Sequence, residues 1–194
     1  YNPKAIRNKI SSCKNEMMTP EIYDKYAVSD YEKVIKEVYE KYERKLHMNN
    51  SVDFDDLLLL PIQLFKKNPD VLDKYQELYQ YILIDEYQDT NEAQYILTKL
   101  LSAKNRKITC VGDDSQSIYS FRGANYKNII NIEKDYKDAK TILLEQNYRS
   151  TQNILDAANQ VIKNNKMRKD KNLWTSRGEG EKIRNKKKED MHRR

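Results

Sequence analysis

Three apolar runs of strand length recur along the second half of this 194-residue chain, and each one stops in polar or acidic groups. Tyr81-Ile82-Leu83-Ile84 runs into Asp85-Glu86, Ile108-Thr109-Cys110-Val111 into Gly112-Asp113-Asp114, and Thr141-Ile142-Leu143-Leu144 into Glu145-Gln146-Asn147. Helical patterns separate them, at about Glu92 to Ser102 and about Asn125 to Asp135, and a further helix comes after the third at about Thr151 to Asn164. Alternation of this kind restricts the chain to an α/β arrangement with right-handed crossovers and a parallel sheet. Ligands of such sheets bind outside the carboxyl ends of the strands, so acids at those ends face a crevice and not a core. For Asp85-Glu86 taken alone, the plain alternative is an acidic strand end that is merely solvated.

The segment before the first strand reads as helical. Ser29-Asp30-Tyr31-Glu32 fits a capping box, and Tyr31, Ile35, Val38, Tyr42 and Leu46 then recur at steps of four and three along one helix face. Thr19-Pro20-Glu21 starts a shorter helix, with proline tolerated in its first turn. Asn49-Asn50-Ser51 marks a turn, and Asp53-Phe54-Asp55-Asp56 opens another helix with acids at its positive end. Pro61 lacks an N–H and crowds the preceding turn, so a kink or an interruption is expected there. A further helix begins after Asn68-Pro69-Asp70.

Composition narrows the classes. The 36 Lys and Arg against 30 Asp and Glu give a net charge of +6, a mixed surface with a basic tilt that suits nucleic acid as well as ordinary solubility. Cys13 and Cys110 are too few for a disulfide framework or a metal cluster and read as reduced thiols of an intracellular protein. Leu57-Leu58-Leu59-Leu60-Pro61-Ile62 is far too short to span a membrane, and the first residues lack a signal-peptide pattern. A soluble cytoplasmic protein without a membrane partner is the expectation. His47 and His192 are isolated, which gives no support to histidine metal ligation.

Three segments carry a resemblance to a family. Asp85-Glu86-Tyr87-Gln88-Asp89-Thr90-Asn91, then Gly112-Asp113-Asp114-Ser115-Gln116-Ser117-Ile118-Tyr119-Ser120-Phe121-Arg122-Gly123-Ala124, then Leu144-Glu145-Gln146-Asn147-Tyr148-Arg149-Ser150-Thr151 resemble, in order and spacing, motifs of UvrD/PcrA/Rep-type superfamily 1 DNA helicases. The resemblance implies a partial RecA-like parallel sheet of the P-loop NTPase class with a helical insertion subdomain. Its divisions would be the end of the insertion subdomain at 1–52, the later half of the first RecA-like domain at 53–150, and the start of a second with a basic tail at 151–194.

The same resemblance implies ATP and Mg²⁺ as cofactors. Asp85 would hold the metal and Glu86 would orient and deprotonate the attacking water, because phosphoryl transfer to water is catalysed mostly by positioning and charge neutralisation. Gln116 would touch the γ-phosphate and the acidic pair, Arg149 would be a γ-phosphate ligand through its planar fork, and Tyr148 would pack on the adenine. Tyr119, Phe121 and Arg122 form the implied single-stranded-DNA surface, with Phe54 as a further base contact. The family more often has Trp at the Phe121 position and a basic residue at Ser120, which implies a weaker grip on the strand here.

None of the four glycines is followed by Lys-Ser or Lys-Thr, so the phosphate-binding loop of such an ATPase is not among these residues. The expectation is therefore one part of an ATP-dependent 3′-to-5′ helicase acting on single-stranded and partly duplex DNA, inactive without the missing remainder of the motor, with repair or replication partners. The alternatives are a non-catalytic DNA-binding or partner-binding module and a piece of a helicase–nuclease subunit. With the loop strand missing, sheet edges near Ile108 and Ile142 would be unpaired, an association hazard.

Overall fold

The computed structural model describes residues 1–117, 125, 127–165 and 171–184. The chain forms two compact units, Tyr1–Asp135 and Tyr136–Arg194.

The first unit opens with helices α1 (Pro3–Asn15), α2 (Pro20–Asp24) and α3 (Asp30–Met48). Asn2, Thr19 and Ser29 cap them through their side chains, and Ser29 with Glu32 makes the full reciprocal capping box. Two adjacent buried turns of α3, at Ile35 and Tyr39, pack on Ile6, Ile10 and Cys13 of α1 and Tyr23 of α2. Tyr39 belongs to this stripe in place of Tyr31 and Val38, which stay exposed. The reason is directional: its hydroxyl donates to Met18 O at 3.1 Å, so the ring is drawn inward over the end of α1.

Helix α4 (Asp56–Lys67) runs through Pro61 without stopping. The proline makes an interruption one expected outcome; the helix survives because Leu59, Ile62 and Phe65 on either side of it are buried, Leu59 and Ile62 against Ala93 and its neighbours. Burial of one such side chain is worth about 1.5–3 kcal/mol, so two or three of them offset the roughly 3 kcal/mol cost of an internal proline. Helix α5 (Pro69–Leu78) comes next, and its Gln76 Nε2 donates to Leu100 O at 2.6 Å.

Strands β1 (Ile82–Ile84) and β2 (Ile108–Cys110) pair in parallel, Ile82 opposite Ile108 and Ile84 opposite Cys110. Between them lies α6 (Glu92–Ser102), whose N-cap Asn91 makes a capping box with Gln94. Among the described residues only one sheet face is covered: Ile82, Ile84, Ile108 and Cys110 are half-buried, whereas Leu83 on the other face is 77% exposed. Within the first unit, among the described residues, no second layer lies over the Leu83 face. Helix α7 (Lys127–Asp135) is tied back by Asn128 Nδ2, which donates to Thr90 O at 3.1 Å.

The second unit carries α8 (Gln152–Ile162). The composition of Thr141 to Leu144 predicts a third strand, but among the described residues that run makes no ladder contact; an isolated parallel bridge joins Gln146, just after it, to Trp174. Ile142 and Leu144 are 70% and 77% exposed, so the run has strand composition with no neighbouring strand to bond. Gly178 and Glu179 supply carbonyls to the first-turn N–H groups of Gln152 and Asn153. Gly180 has φ +74° and lies so close to Thr151 that a Cβ would come within 2.2 Å of its hydroxyl oxygen.

Among the described residues no helix is long and apolar enough to cross a membrane.

Candidate nucleotide site at the strand ends

Both strands of the first unit end in the same place, and the backbone just past each strand bonds to the other. Val111 N–H donates to Ile84 O at 2.8 Å and Tyr87 N–H donates to Val111 O at 2.9 Å, so the ladder continues past the named strands and brings Asp85-Glu86 beside Gly112-Asp113. Asp85 Oδ1 accepts from Glu86 N–H at 2.9 Å, a local turn that ends the strand. Glu86 adopts the left-handed conformation, φ 50° and ψ 41°, which a non-glycine residue visits at a cost and which clusters at functional sites. The short 3₁₀ turn Tyr87–Asp89 then buries Tyr87 and Gln88 while Asp85 and Glu86 stay exposed.

Gln88 joins the two strand ends. Its Nε2 donates to Glu86 Oε2 at 2.7 Å, and its Oε1 accepts from Asp113 N–H at 3.0 Å. Asp113 in turn accepts from Ser115 N–H at 2.9 Å and from Gln116 Nε2 at 2.8 Å, across the 3₁₀ turn Asp114–Gln116. The result is a chain Glu86–Gln88–Asp113–Gln116, in which Gln116 reaches the acidic pair through two intermediaries. Gly112 makes room for it: a Cβ there would lie 2.6 Å from Gln88 Oε1 and 3.2 Å from the Tyr87 nitrogen. Sequence reasoning did not single out Gln88 or Asp113. The signals were present, an amide two residues after the acid and an Asp three residues before Gln116 in Asx-turn spacing.

Tyr119, Phe121 and Arg122 lie outside the described residues. Phe54 is described and stands 90% exposed in the turn before α4, on the wall of a cleft of about 820 Å³ shared with Tyr1, Arg7 and Tyr42. In the second unit, Asn147 Oδ1 accepts from the N–H groups of Arg149 and Ser150 at 2.9 and 2.7 Å, forming a turn that presents both Tyr148 and Arg149 to solvent. Tyr148 OH donates to Gln146 Oε1 at 3.0 Å, and its ring is 74% exposed.

A buried charge cluster, not foreseen from the sequence, lies behind Phe54. Lys14, 1% exposed in its side chain, contacts Asp56 Oδ1 at 2.7 Å and Asp53 Oδ2 and Glu43 Oε1 at 2.8 Å each. Burial pulls the ammonium down, but hydrogen bonds to Asp53 and Asp56 and the ion contact with Glu43 outweigh it and hold Lys14 above its ordinary range. Burial likewise pushes Asp53 up and is outweighed by Lys14, the Asp56 backbone N–H and Tyr42, leaving it below the usual carboxylate range. Glu43, whose buried Oε1 makes the ion contact without a well-aligned hydrogen bond, is raised by burial.

No group of three or more His, Cys, Asp or Glu among the described residues could cage a metal. Two exposed carboxylates at a strand end suit instead a cation such as Mg²⁺, which keeps several waters and takes one or two protein carboxylates along with phosphate oxygens.

Residues 1–137 match the model of the UvrD/REP helicase N-terminal domain and residues 142–193 that of the UvrD-like helicase C-terminal domain. The chain is 54% identical over 183 residues to the ATP-dependent DNA helicase PcrA of Bacillus subtilis, covering 94% of this chain and 25% of that protein. It is 51% identical over the same length to the PcrA helicases of Leuconostoc citreum and Staphylococcus aureus, again 94% of this chain and 24% and 25% of theirs. The chain thus spans about a quarter of the length of the curated relatives it matches.

Proposed function

This chain belongs to the UvrD/REP helicase family, and from that premise we propose that it is part of an ATP-dependent 3′-to-5′ DNA helicase that couples ATP hydrolysis to movement along single-stranded DNA and unwinding of partly duplex DNA in the cytoplasm, together with the remainder of the motor and repair or replication partners. The observation that carries this reading is the bonded chain Glu86–Gln88–Asp113–Gln116 across the carboxyl ends of β1 and β2. A nucleotide bound there would meet acids and an amide already held in place, which is what hydrolysis by positioning requires.

In this reading Asp85 would hold Mg²⁺. The ion, when bound, neutralises charge on the phosphate oxygens. Glu86 Oε1, the oxygen not engaged by Gln88, accepts the proton of a water aligned on the γ-phosphorus. Gln116 adjoins the γ-phosphate and passes its presence through Asp113 and Gln88 to the acidic pair. Arg149 is an exposed guanidinium without an ion pair among the described residues, and it would take the developing γ-phosphate charge in bidentate fashion. Tyr148 offers an exposed ring to the adenine. Tyr119, Phe121 and Arg122 with Phe54 supply sequence-tolerant stacking and phosphate attraction for the strand.

The test is ATP hydrolysis stimulated by single-stranded DNA. Hydrolysis by a full-length PcrA-type polypeptide carrying these residues should fall by about 10²–10⁴-fold on Glu86→Gln, with ATP binding retained, while the 194-residue chain should hydrolyse none. Equal rates with and without the substitution would remove Glu86 from the reaction.

A further inference from the structure

The last turn of α1 ends in Lys14 and Asn15, and between them these neighbours hold every carboxylate of the turn that leads from α3 into α4. Lys14 takes Asp53 and Asp56. Those two acids also bond to each other's backbone, Asp56 N–H to Asp53 Oδ1 at 2.9 Å and Asp53 N–H to Asp56 Oδ2 at 3.1 Å, a reciprocal closure of the capping-box kind. Tyr42 OH adds a third grip on Asp53 at 3.0 Å. Asn15 Nδ2 donates to Asp55 Oδ1 at 3.0 Å and to Ser11 O at 2.9 Å, and Asn15 Oδ1 accepts from Asn91 Nδ2 at 2.6 Å. Asn91 is the N-cap of α6, next in sequence to the Asp85–Thr90 loop.

The one member of Asp53-Phe54-Asp55-Asp56 that nothing holds is the aromatic, and it is 90% exposed. A buried ion cluster is expensive to assemble, and it gives weak support to stability compared with apolar packing. It does fix direction. A turn fixed in place before binding loses less backbone freedom when a base stacks on the side chain it carries.

We propose that Lys14 and Asn15 are positioning residues for single-stranded DNA: they clamp the Asp53–Asp56 turn so that Phe54 stands out as a preset platform for one unpaired base. The inference rests on the reading of Phe54 as a base contact given above. Asn15 acts through Phe54 and does not itself touch the strand.

The test uses the 194-residue chain and an oligothymidylate carrying one 2-aminopurine, whose fluorescence falls on stacking, titrated at fixed salt because affinity depends on it. Phe54→Ala should weaken binding about tenfold and abolish the quench. Asn15→Asp, which turns the donor facing Asp55 into an acceptor at the same size, should weaken binding several-fold in the parent chain but less than about twofold in the Phe54→Ala background, since a residue acting through another loses its effect when that other is gone. Asp55→Ala cuts the same bond from the exposed side and should repeat the pattern, whatever Asn15→Asp does to folding. Full-sized effects of Asn15→Asp and Asp55→Ala in both backgrounds would overturn the clamp alone. Undiminished binding and quenching by Phe54→Ala would overturn the base-contact reading and the clamp with it.

Discussion

Gln88 Nε2 donates a 2.7 Å hydrogen bond to Glu86 Oε2, so a buried amide two residues along holds the carboxylate that the strand end presents to solvent. The same amide accepts from Asp113 N–H at the end of the neighbouring strand. One side chain therefore ties both strand ends together, alongside the backbone bonds of Val111 and Tyr87.

Replacing Gln88 by Leu deletes both bonds in a place that is 1% exposed. The expected cost is about 1–3 kcal/mol of stability, read as a lower urea midpoint with an unchanged slope. A midpoint equal to that of the parent chain would mean that the two strand ends hold their spacing without this bridge.

Lys14→Met leaves the buried Asp56 and the half-buried Asp53 and Glu43 without their cation, and the expected loss at neutral pH is about 3 kcal/mol. The pH dependence has a definite sign. Asp53 is depressed in the folded chain, so its stabilising part is present above its unfolded value of about 3.9 and is lost as pH falls through the lower folded value. Lys14 is raised, so its part is present below about 10.4 and is lost as pH rises through the higher folded value. Glu43 is raised and works against Asp53, favouring the folded state as pH falls. Without Lys14, protonation relieves Asp53 and Glu43, so the variant should be closer to the parent at about pH 4 than at neutral pH. Urea midpoints across pH measure this; a constant gap would show that Lys14 does not act on the carboxylates.

Cys110 is pushed up to about 11 by burial, and burial raises Cys13 as well. Both remain thiols at about pH 8, and only a thiolate attacks an alkylating reagent efficiently. Iodoacetamide should label neither quickly in the folded chain and both in urea, with mass spectrometry as the readout. Rapid labelling of Cys110 without denaturant would show that β2 opens readily.

Leu83 on the open sheet face and Ile142 and Leu144 in the unpaired run are all at least 70% exposed. Exposed apolar strand segments invite pairing with another chain. Sedimentation velocity should show association that grows with concentration and is reduced by Leu83→Lys with Leu144→Lys. A clean monomer with a sharp thermal transition at high concentration would contradict this.

The legible parts of the fold were those decided within a few residues. The Ser29–Glu32 capping box and the start of α6 after Asn91 depend on groups three positions apart, and both stand as their sequence patterns indicate. Thr141 to Leu144 has the same apolar character as β1 but, among the described residues, no strand beside it, because strand formation needs a partner that composition does not reveal. Motif order offered the acidic pair, Gln116 and Arg149 as candidates; the bonds of Gln88 and Asp113 were not legible, since they arise only when two strand ends separated by an entire helix lie side by side.

Periodicity, caps and motif order in the sequence determined the helices, the parallel α/β class and the family. Only the tertiary structure decided that Lys14, a residue type that normally keeps its charge in water, is sealed among Glu43, Asp53 and Asp56. The physical reason is range: a cap or a helix face is settled by neighbours within one or two turns, whereas the cost of burying an ammonium is met only by carboxylates that lie 29 to 42 residues away in sequence and arrive together when α1, α3 and α4 pack.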